Sequence, residues 1–121
     1  MLHEIYFDYN TGSIRMNFKG LFTPQDAEEF FPLTKKLCEG KKRCYLLCDF
    51  KEGGTEIPKD KEYRQWLIKM YKESGFDRIA IFNTSPSMRM LAKIALAAAG
   101  QSKNVRFFKT EEEALSWFQN E

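Results

Sequence analysis

Three times along this chain, a short apolar run leads through a polar break into a stretch with helical spacing of apolar residues. Alternating strands and helices predict a parallel sheet covered by helices. The predicted strands are Tyr45–Asp49, Arg78–Phe82 and Val105–Phe108, and the predicted helices are Pro58–Glu73, Pro86–Ala99 and Glu111–Phe118. Because such folds host many unrelated activities, this pattern predicts the fold class and leaves the function open.

The first twenty residues alternate with a period of two, which is typical of strands with one buried face. One predicted strand covers residues 2–9, a turn follows at Asn10–Gly12, and a second strand ends at Gly20. The sequence therefore predicts an antiparallel hairpin. The apolar positions of its buried face are Ile5, Phe7 and Tyr9 in the first strand and Ile14, Met16 and Phe18 in the second.

A further helix is predicted between the hairpin and the first central strand. Thr23 and Pro24 mark its start, because a hydroxyl cap followed by proline suits the first helical position. We expect Pro32 to kink or shorten it, and Glu39–Gly40 to end it. Residues 1–121 are thus predicted to form one α/β domain. It has a mixed, mostly parallel five-stranded sheet, an N-terminal β-hairpin and four helices, in the order ββαβαβαβα. We expect right-handed connections to place the first two helices and the last two on opposite faces.

Composition and charge exclude several functional classes. Apolar residues make up 43% of the 121, enough for a substantial core. The 19 basic and 17 acidic residues nearly balance, and a net charge of +2 predicts no strong attraction to nucleic acid or an anionic membrane. No run approaches the ~18 apolar residues of a membrane span. The N-terminus lacks the pattern of a signal peptide, so we expect a cytoplasmic protein without a membrane span.

The cysteines and the single histidine argue against a metal centre. An odd number of cysteines without an export signal predicts free thiols in a reducing compartment. We interpret Cys38, Cys44 and Cys48 as small buried hydrophobes, since His3 alone adds too few ligands for a metal. No metal and no cofactor is expected.

The element order and several segments resemble a known family. Tyr45–Asp49 matches the central strand that ends in aspartate, Arg78–Phe82 matches the next strand, and 105–118 matches the closing strand and helix. Together they resemble STAS domains, and more closely the SpoIIAA-like family. The resemblance implies a SpoIIAA/STAS-like fold that binds protein partners. A likeness in outline to lipid-binding CRAL-TRIO-type domains implies a small apolar ligand as the alternative.

Some STAS domains are switched by phosphorylation of a serine at the start of the second helix, within an Asp-Ser-Ser-Gly stretch. In this chain the equivalent segment, Lys51–Pro58, lacks that stretch, and its single hydroxyl is on Thr55. Ser85 also precedes a predicted helix. Thr55 and Ser85 are therefore candidate phosphorylation sites, with a plain loop position and a helix N-cap as the respective alternatives.

A candidate ligand cleft follows from the position of polar residues after two neighbouring strands. Open parallel sheets bind ligands beyond the carboxyl ends of their strands. Asp49 ends one predicted strand, and Asn83, Thr84 and Ser85 follow the next. The alternative is that Asp49 caps its own loop or the following helix through local hydrogen bonds.

The third predicted helix is unusually apolar. Between Met88 and Ala99 its only charged residues are Arg89 and Lys93, which predicts burial on more than one side. This helix is expected either to contact another molecule or to form one wall of an apolar pocket. The alternative is that its alanines lie flat against the sheet and the rest of the helix is partly exposed. The candidate interface residues are Met88, Met90, Leu91 and Ile94.

A basic cluster comprises Lys35–Lys36 and Lys41–Arg43. It is either a solvated face or a contact for phosphate or an acidic partner. Because no nucleic-acid motif accompanies it, nucleic-acid binding is not predicted.

These observations favour a non-enzymatic regulatory or interaction module that binds a protein partner or forms a homodimer through the third helix. The alternative is a carrier or sensor of a small apolar or lipid-like ligand held between helices and sheet. An enzyme using Asp49 and Ser85 is a third hypothesis. No nucleophile elbow and no glycine-rich phosphate loop supports it.

Overall fold

The computed structural model describes residues 2–53, 60–98, 100 and 103–120, with the backbone alone for Leu91, Ala95 and Ala98. Five strands and four helices alternate in the predicted order. They are β1 (Glu4–Asp8), β2 (Ser13–Gly20), α1 (Pro24–Cys38), β3 (Tyr45–Gly53), α2 (Lys61–Glu73), β4 (Arg78–Phe82), α3 (Pro86–Ala98), β5 (Val105–Phe108) and α4 (Glu111–Gln119).

The sheet follows chain order, β1-β2-β3-β4-β5. β1 and β2 form an antiparallel hairpin, in which Glu4 faces Asn17 and Asp8 faces Ser13. The remaining neighbours are parallel. The predicted fold class, a mixed and mostly parallel five-stranded sheet with an N-terminal hairpin and four helices, is confirmed.

Three helices cover one face of the sheet and one covers the other, so the expected two-and-two distribution is wrong. Because strand order equals chain order, successive right-handed connections all step in the same direction and place α1, α2 and α3 on one face. α4 follows the last strand and does not connect two strands, so this rule does not fix its face. It packs on the opposite face through Ala114 and Phe118.

The larger core lies beneath α1, α2 and α3. Ile14, Met16 and Leu46 point into it from the sheet, and Phe30 of α1 is fully buried among them. Alternate residues of the strands supply the smaller core under α4, because successive side chains point to opposite faces. That second cluster contains Leu47, Ala80, Phe82, Ala114 and Phe118.

α1 begins as predicted and ends at Cys38, next to the predicted stop at Glu39–Gly40. The Thr23 hydroxyl accepts the Asp26 N–H, and the Asp26 carboxylate accepts the Thr23 N–H, which is a capping box. The helix then runs through Pro32 to Cys38, so the expectation that Pro32 shortens it is wrong. Pro32 and Glu28 are exposed, so water can hydrate the carbonyl that lacks its N–H partner.

His3 fastens the N-terminal segment to this cap. Its Nδ1 accepts the Lys19 N–H at 2.8 Å, so its proton resides on Nε2. Nε2 lies 3.0 Å from the Asp26 carboxylate and 3.1 Å from the Leu21 carbonyl. The buried imidazole thereby has hydrogen-bond partners at both ring nitrogens, as a buried polar ring requires.

β3 is longer than predicted, because its neighbour provides partners beyond Asp49. β2 continues to Gly20, which pairs with Gly53 after a register shift. A Cβ on Gly53 would overlap the Gly20 backbone, so this close approach requires glycine. The predicted end of this strand at Asp49 is therefore wrong.

The start of the second helix also differs from the prediction. α2 begins at Lys61, and the Asp60 side chain accepts the Glu62 N–H as its N-cap. Pro58, the predicted first residue, lies outside the described residues, as does Ala99, the predicted last residue of the third helix.

Cys38 and Cys44 form a disulfide bond, with their Cα atoms 5.7 Å apart. The expectation of three free thiols is therefore wrong for this pair, and Cys48 alone is free and buried. The spacing carried no signal for the bond, because pairing depends on where α1 ends relative to the start of β3.

Candidate functional site

Asp49 lies where β3 passes the end of β4, and its carboxylate organises the backbone there. It pairs with Phe82, the last residue of β4. The Asn83 side-chain amide and the Lys51 N–H both donate to Asp49 Oδ1, each at 2.9 Å. Asn83 has φ of 63°, a left-handed conformation that asparagine tolerates better than most residues. This oxygen of Asp49 thus anchors two backbone turns.

The second oxygen of Asp49 binds Arg15, a residue that sequence reasoning missed. The Arg15 guanidinium donates to Asp49 Oδ2 at 3.1 Å and to Asn17 Oδ1 at 2.8 Å. It also forms an ion pair with Glu111, the first residue of α4. The Arg15 and Asp49 side chains are only 17% and 15% exposed, so this pair is shielded from water. Arg15 thereby joins β2, β3 and α4.

A second group of charges continues the polar surface toward β1. Lys19 lies 2.5 Å from Glu4 and 3.8 Å from Glu52. The hydrogen bond to Lys19, with a smaller contribution from Asn17, lowers the pKa of Glu4. The same contact with Glu4 raises the pKa of Lys19. Both residues therefore stay charged over a wider pH range.

These groups surround an open cleft of about 160 Å³ on the α4 side of the sheet, beside the part that α4 covers. Cations and carboxylates alternate around it and bind each other. The Asp49 carboxylate accepts hydrogen bonds on both oxygens, which suits a structural anchor. The lining residues are Glu4, Arg15, Asn17, Phe18, Lys19, Asp49, Lys51 and Glu52.

Only two of the four predicted cleft residues are in contact with each other in the structure. The structure brings Asp49 and Asn83 together, whereas Ser85 caps α3 and Thr84 is half-buried beside it. The hydrogen bonds of Asp49 fit the alternative of a local anchor, and its role as a ligand contact stays a prediction. The residues that sequence reasoning missed occupy the outward positions of the hairpin. Their signal was the run of alternating charged side chains along β2 and β1.

Ser85 has the geometry of a helix cap. Its hydroxyl accepts the Met88 N–H at 3.2 Å, and the side chain is exposed. Phosphorylation of Ser85 stays a prediction, and so does that of Thr55, which lies outside the described residues.

α3 presents a mixed apolar surface. Met88 is half-buried and packs on the larger core. Met90 and Ile94, one turn apart, are 63% and 62% exposed. Residues four apart share one side of a helix, so these two side chains form a continuous exposed pair. The Leu91 backbone lies within α3, but its side chain is outside the described part of the structure.

The free thiol and the acidic groups do not form a further centre. Burial raises the pKa of the Cys48 thiol strongly, which disfavours the reactive thiolate. Across the described ranges, no three His, Cys, Asp or Glu side chains are placed to hold a metal ion. Among the same residues, no helix is long and apolar enough to cross a membrane.

Comparisons with known proteins agree with this architecture. A structure from Shewanella loihica, described as an uncharacterised protein with a SpoIIAA-like fold, matches with a TM-score of 0.66 and 19% identity. The match covers 95% of this chain and 90% of that one. The anti-sigma factor antagonist SpoIIAA in its unphosphorylated form matches with a TM-score of 0.64 and 13% identity, over 98% and 97% of the two chains. At these identities the likeness shows the fold alone.

A search among curated proteins found no match. The model of the SpoIIAA-like family matches residues 13–119, from the start of β2 to the end of α4. That span contains all of the parallel strands and all four helices. The chain belongs to the SpoIIAA-like family.

Proposed function

We propose that this chain is a non-enzymatic interaction module, which binds a protein partner or a second copy of itself through α3. The exposed pair Met90 and Ile94 carries the proposal. Neighbouring apolar side chains on one helix surface are typical of contact sites, since their burial against a partner removes apolar area from water. Methionine adds flexibility that adapts to a partner surface.

The family supports a protein as the class of partner. One structural neighbour is an anti-sigma factor antagonist, and such a protein acts on another protein. The geometry of Asp49 supports the non-enzymatic part of the proposal, because its oxygens are engaged by Arg15, Asn83 and Lys51.

One double variant and one control variant test this function. Met90→Glu/Ile94→Glu places two charges on the proposed surface. Leu21→Glu changes an apolar residue of similar exposure, 67%, outside the helices. Native mass spectrometry and sedimentation velocity measure self-association. Quantitative affinity purification compares the proteins that each tagged form retains.

The proposal predicts that wild type and Leu21→Glu dimerise, or retain the same proteins, and that the α3 variant loses this association. Removing two central apolar contacts should weaken binding at least about tenfold, because contact residues that cost over 1 kcal/mol are typical of such centres. Equal association of all three forms would refute it. A monomer that carries several hundred extra daltons, lost on denaturation, would instead favour the small-ligand carrier.

A further inference from the structure

The basic residues around the end of α1 form one exposed surface in the structure. Lys35 and Lys36 lie in the last turn of α1, and 41–43 lie in the loop that leads to β3. All of these side chains are exposed. We call this surface the basic end; its residues are Lys35, Lys36, Lys41, Lys42 and Arg43.

The loop that carries three of these cations is held at both of its ends. The Cys38–Cys44 disulfide closes it on itself. The Cys44 N–H donates to the Asp77 carboxylate at 2.8 Å, and the Asp77 N–H donates to the Cys44 carbonyl at 2.8 Å. A restrained loop loses less conformational entropy when its side chains bind a partner.

An exposed aromatic ring stands next to these cations. Tyr9 was predicted to share the buried face of the hairpin, but it follows the end of β1 and is 83% exposed. The Lys41 ammonium lies 4.6 Å from the centre of the Phe7 ring and 5.8 Å from that of Tyr9. The hairpin turn and the basic loop are therefore neighbours. Tyrosine beside lysine is the combination that sits well at a membrane–water interface.

The ion pairs of the described residues do not use the lysines of the basic end. Within the part of the chain that the structure describes, no ion pair involves Lys35, Lys36, Lys41 or Lys42. Three carboxylates lie near this surface: Glu39 in the loop, Asp77, which accepts the Cys44 N–H at 2.8 Å, and Asp8, between Phe7 and Tyr9. The acidic residues Asp49, Glu52 and Glu111 are grouped around the cleft described above.

We propose that the basic end binds the anionic headgroups of a lipid bilayer and holds the protein peripherally at its surface. The exposed Tyr9 ring beside Lys41 favours a lipid surface over an acidic peptide, because such a ring sits well at the level of lipid headgroups. Clusters of four to eight Lys or Arg residues are typical of such electrostatic attachment, and it weakens as salt screens the charges. This surface is separate from the exposed pair on α3, so the two functions are compatible.

Vesicle sedimentation of the purified, disulfide-bonded protein tests the proposal. The probes are phosphatidylcholine vesicles with and without phosphatidylglycerol, at low and at physiological salt. Lys41→Glu/Lys42→Glu alters the basic end. Lys61→Glu/Lys109→Glu makes the same change in net charge at two exposed lysines outside it. Circular dichroism confirms that each variant is folded, and Lys41→Gln/Lys42→Gln replaces the first variant if reversal unfolds it.

We expect wild type and the control to bind only the vesicles that contain phosphatidylglycerol, and to bind less as salt rises. Losing two lysines should weaken binding by about 30-fold, at roughly five- to sixfold for each. Tyr9→Ser should weaken it severalfold without changing the salt dependence. The proposal is overturned if both charge variants bind equally, or if the protein shows no preference for vesicles with phosphatidylglycerol. It is also overturned if the protein binds no vesicles but binds polyglutamate or RNA strongly.

Discussion

The contact between Arg15 and Asp49 provides the sharpest test of the energetics at the cleft. Arg15→Met removes the guanidinium but keeps much of the apolar stem that packs on the sheet. Asp49→Asn keeps an oxygen for Asn83 and Lys51 but removes the negative charge. The two single variants and the double variant together form a thermodynamic cycle that isolates the pair.

The expected contribution of this pair to the free energy of unfolding follows from how exposed Arg15 and Asp49 are. Exposed ion pairs contribute about 0–1 kcal/mol, whereas hydrogen bonds to charged groups that are shielded from water contribute about 1.5–3 kcal/mol. Arg15 and Asp49 are both less than one-fifth exposed, so their pair belongs nearer the second class. We expect Arg15→Met and Asp49→Asn each to lower the free energy of unfolding by about 2 kcal/mol, with a coupling of at least about 1 kcal/mol.

Glu111 serves as the internal comparison. Its side chain is 40% exposed, so its ion pair with Arg15 is better screened. Glu111→Gln should therefore cost less than about 1 kcal/mol, and high salt should remove most of that cost. The cost of breaking the Arg15–Asp49 pair should persist in high salt.

Urea unfolding, followed by the fluorescence of Trp66 and Trp117, measures these free energies. A coupling below about 0.3–0.5 kcal/mol would mean that the two residues contribute independently, and would refute the view that they form one shielded unit. A larger loss for Glu111→Gln than for Asp49→Asn would refute the ranking by exposure.

Three further predictions concern the cysteines and the capped helix. Reduction of the Cys38–Cys44 bond should lower the free energy of unfolding by about 2 kcal/mol, because the unfolded chain gains the entropy that the short loop restrains. Thiol titration in denaturant should find one free thiol before reduction and three after it. Three free thiols before reduction would contradict the bond. Cys48 should resist iodoacetamide in the folded protein and react on unfolding, since burial raises its pKa, and rapid labelling of folded protein would contradict this burial. Burial acts to raise the pKa of Asp26, but hydrogen bonds from Thr23 and His3 outweigh it and hold that pKa below its ordinary value of 3.8. This contribution to the free energy of unfolding is fully present above pH 3.8 and is lost as the pH falls through the lowered pKa of Asp26. Wild type should therefore lose urea resistance below 3.8 more steeply than Asp26→Asn, and parallel curves would exclude this contribution.

Local sequence signals determined the elements of this protein. Apolar periodicity, the Thr23 and Thr110 caps and the turn at Asn10–Gly12 act over a few residues, and the predicted order of strands and helices is confirmed. The apolar character of the third helix predicted burial on more than one side, whereas Met90 and Ile94 are 63% and 62% exposed. Pro32 shows the limit of such signals, since an exposed helical position tolerates a residue that disfavours helices.

Tertiary structure decided what depends on residues distant in the sequence. The order of the strands placed three helices on one face, and the length of β2 extended β3 past Asp49. Arg15 and Asp49 are 34 residues apart and meet only because β2 and β3 are neighbours. The Cys38–Cys44 bond likewise required the end of α1 to lie beside the start of β3. Local spacing carries no information about such meetings, because they are set by how the helices and strands pack together.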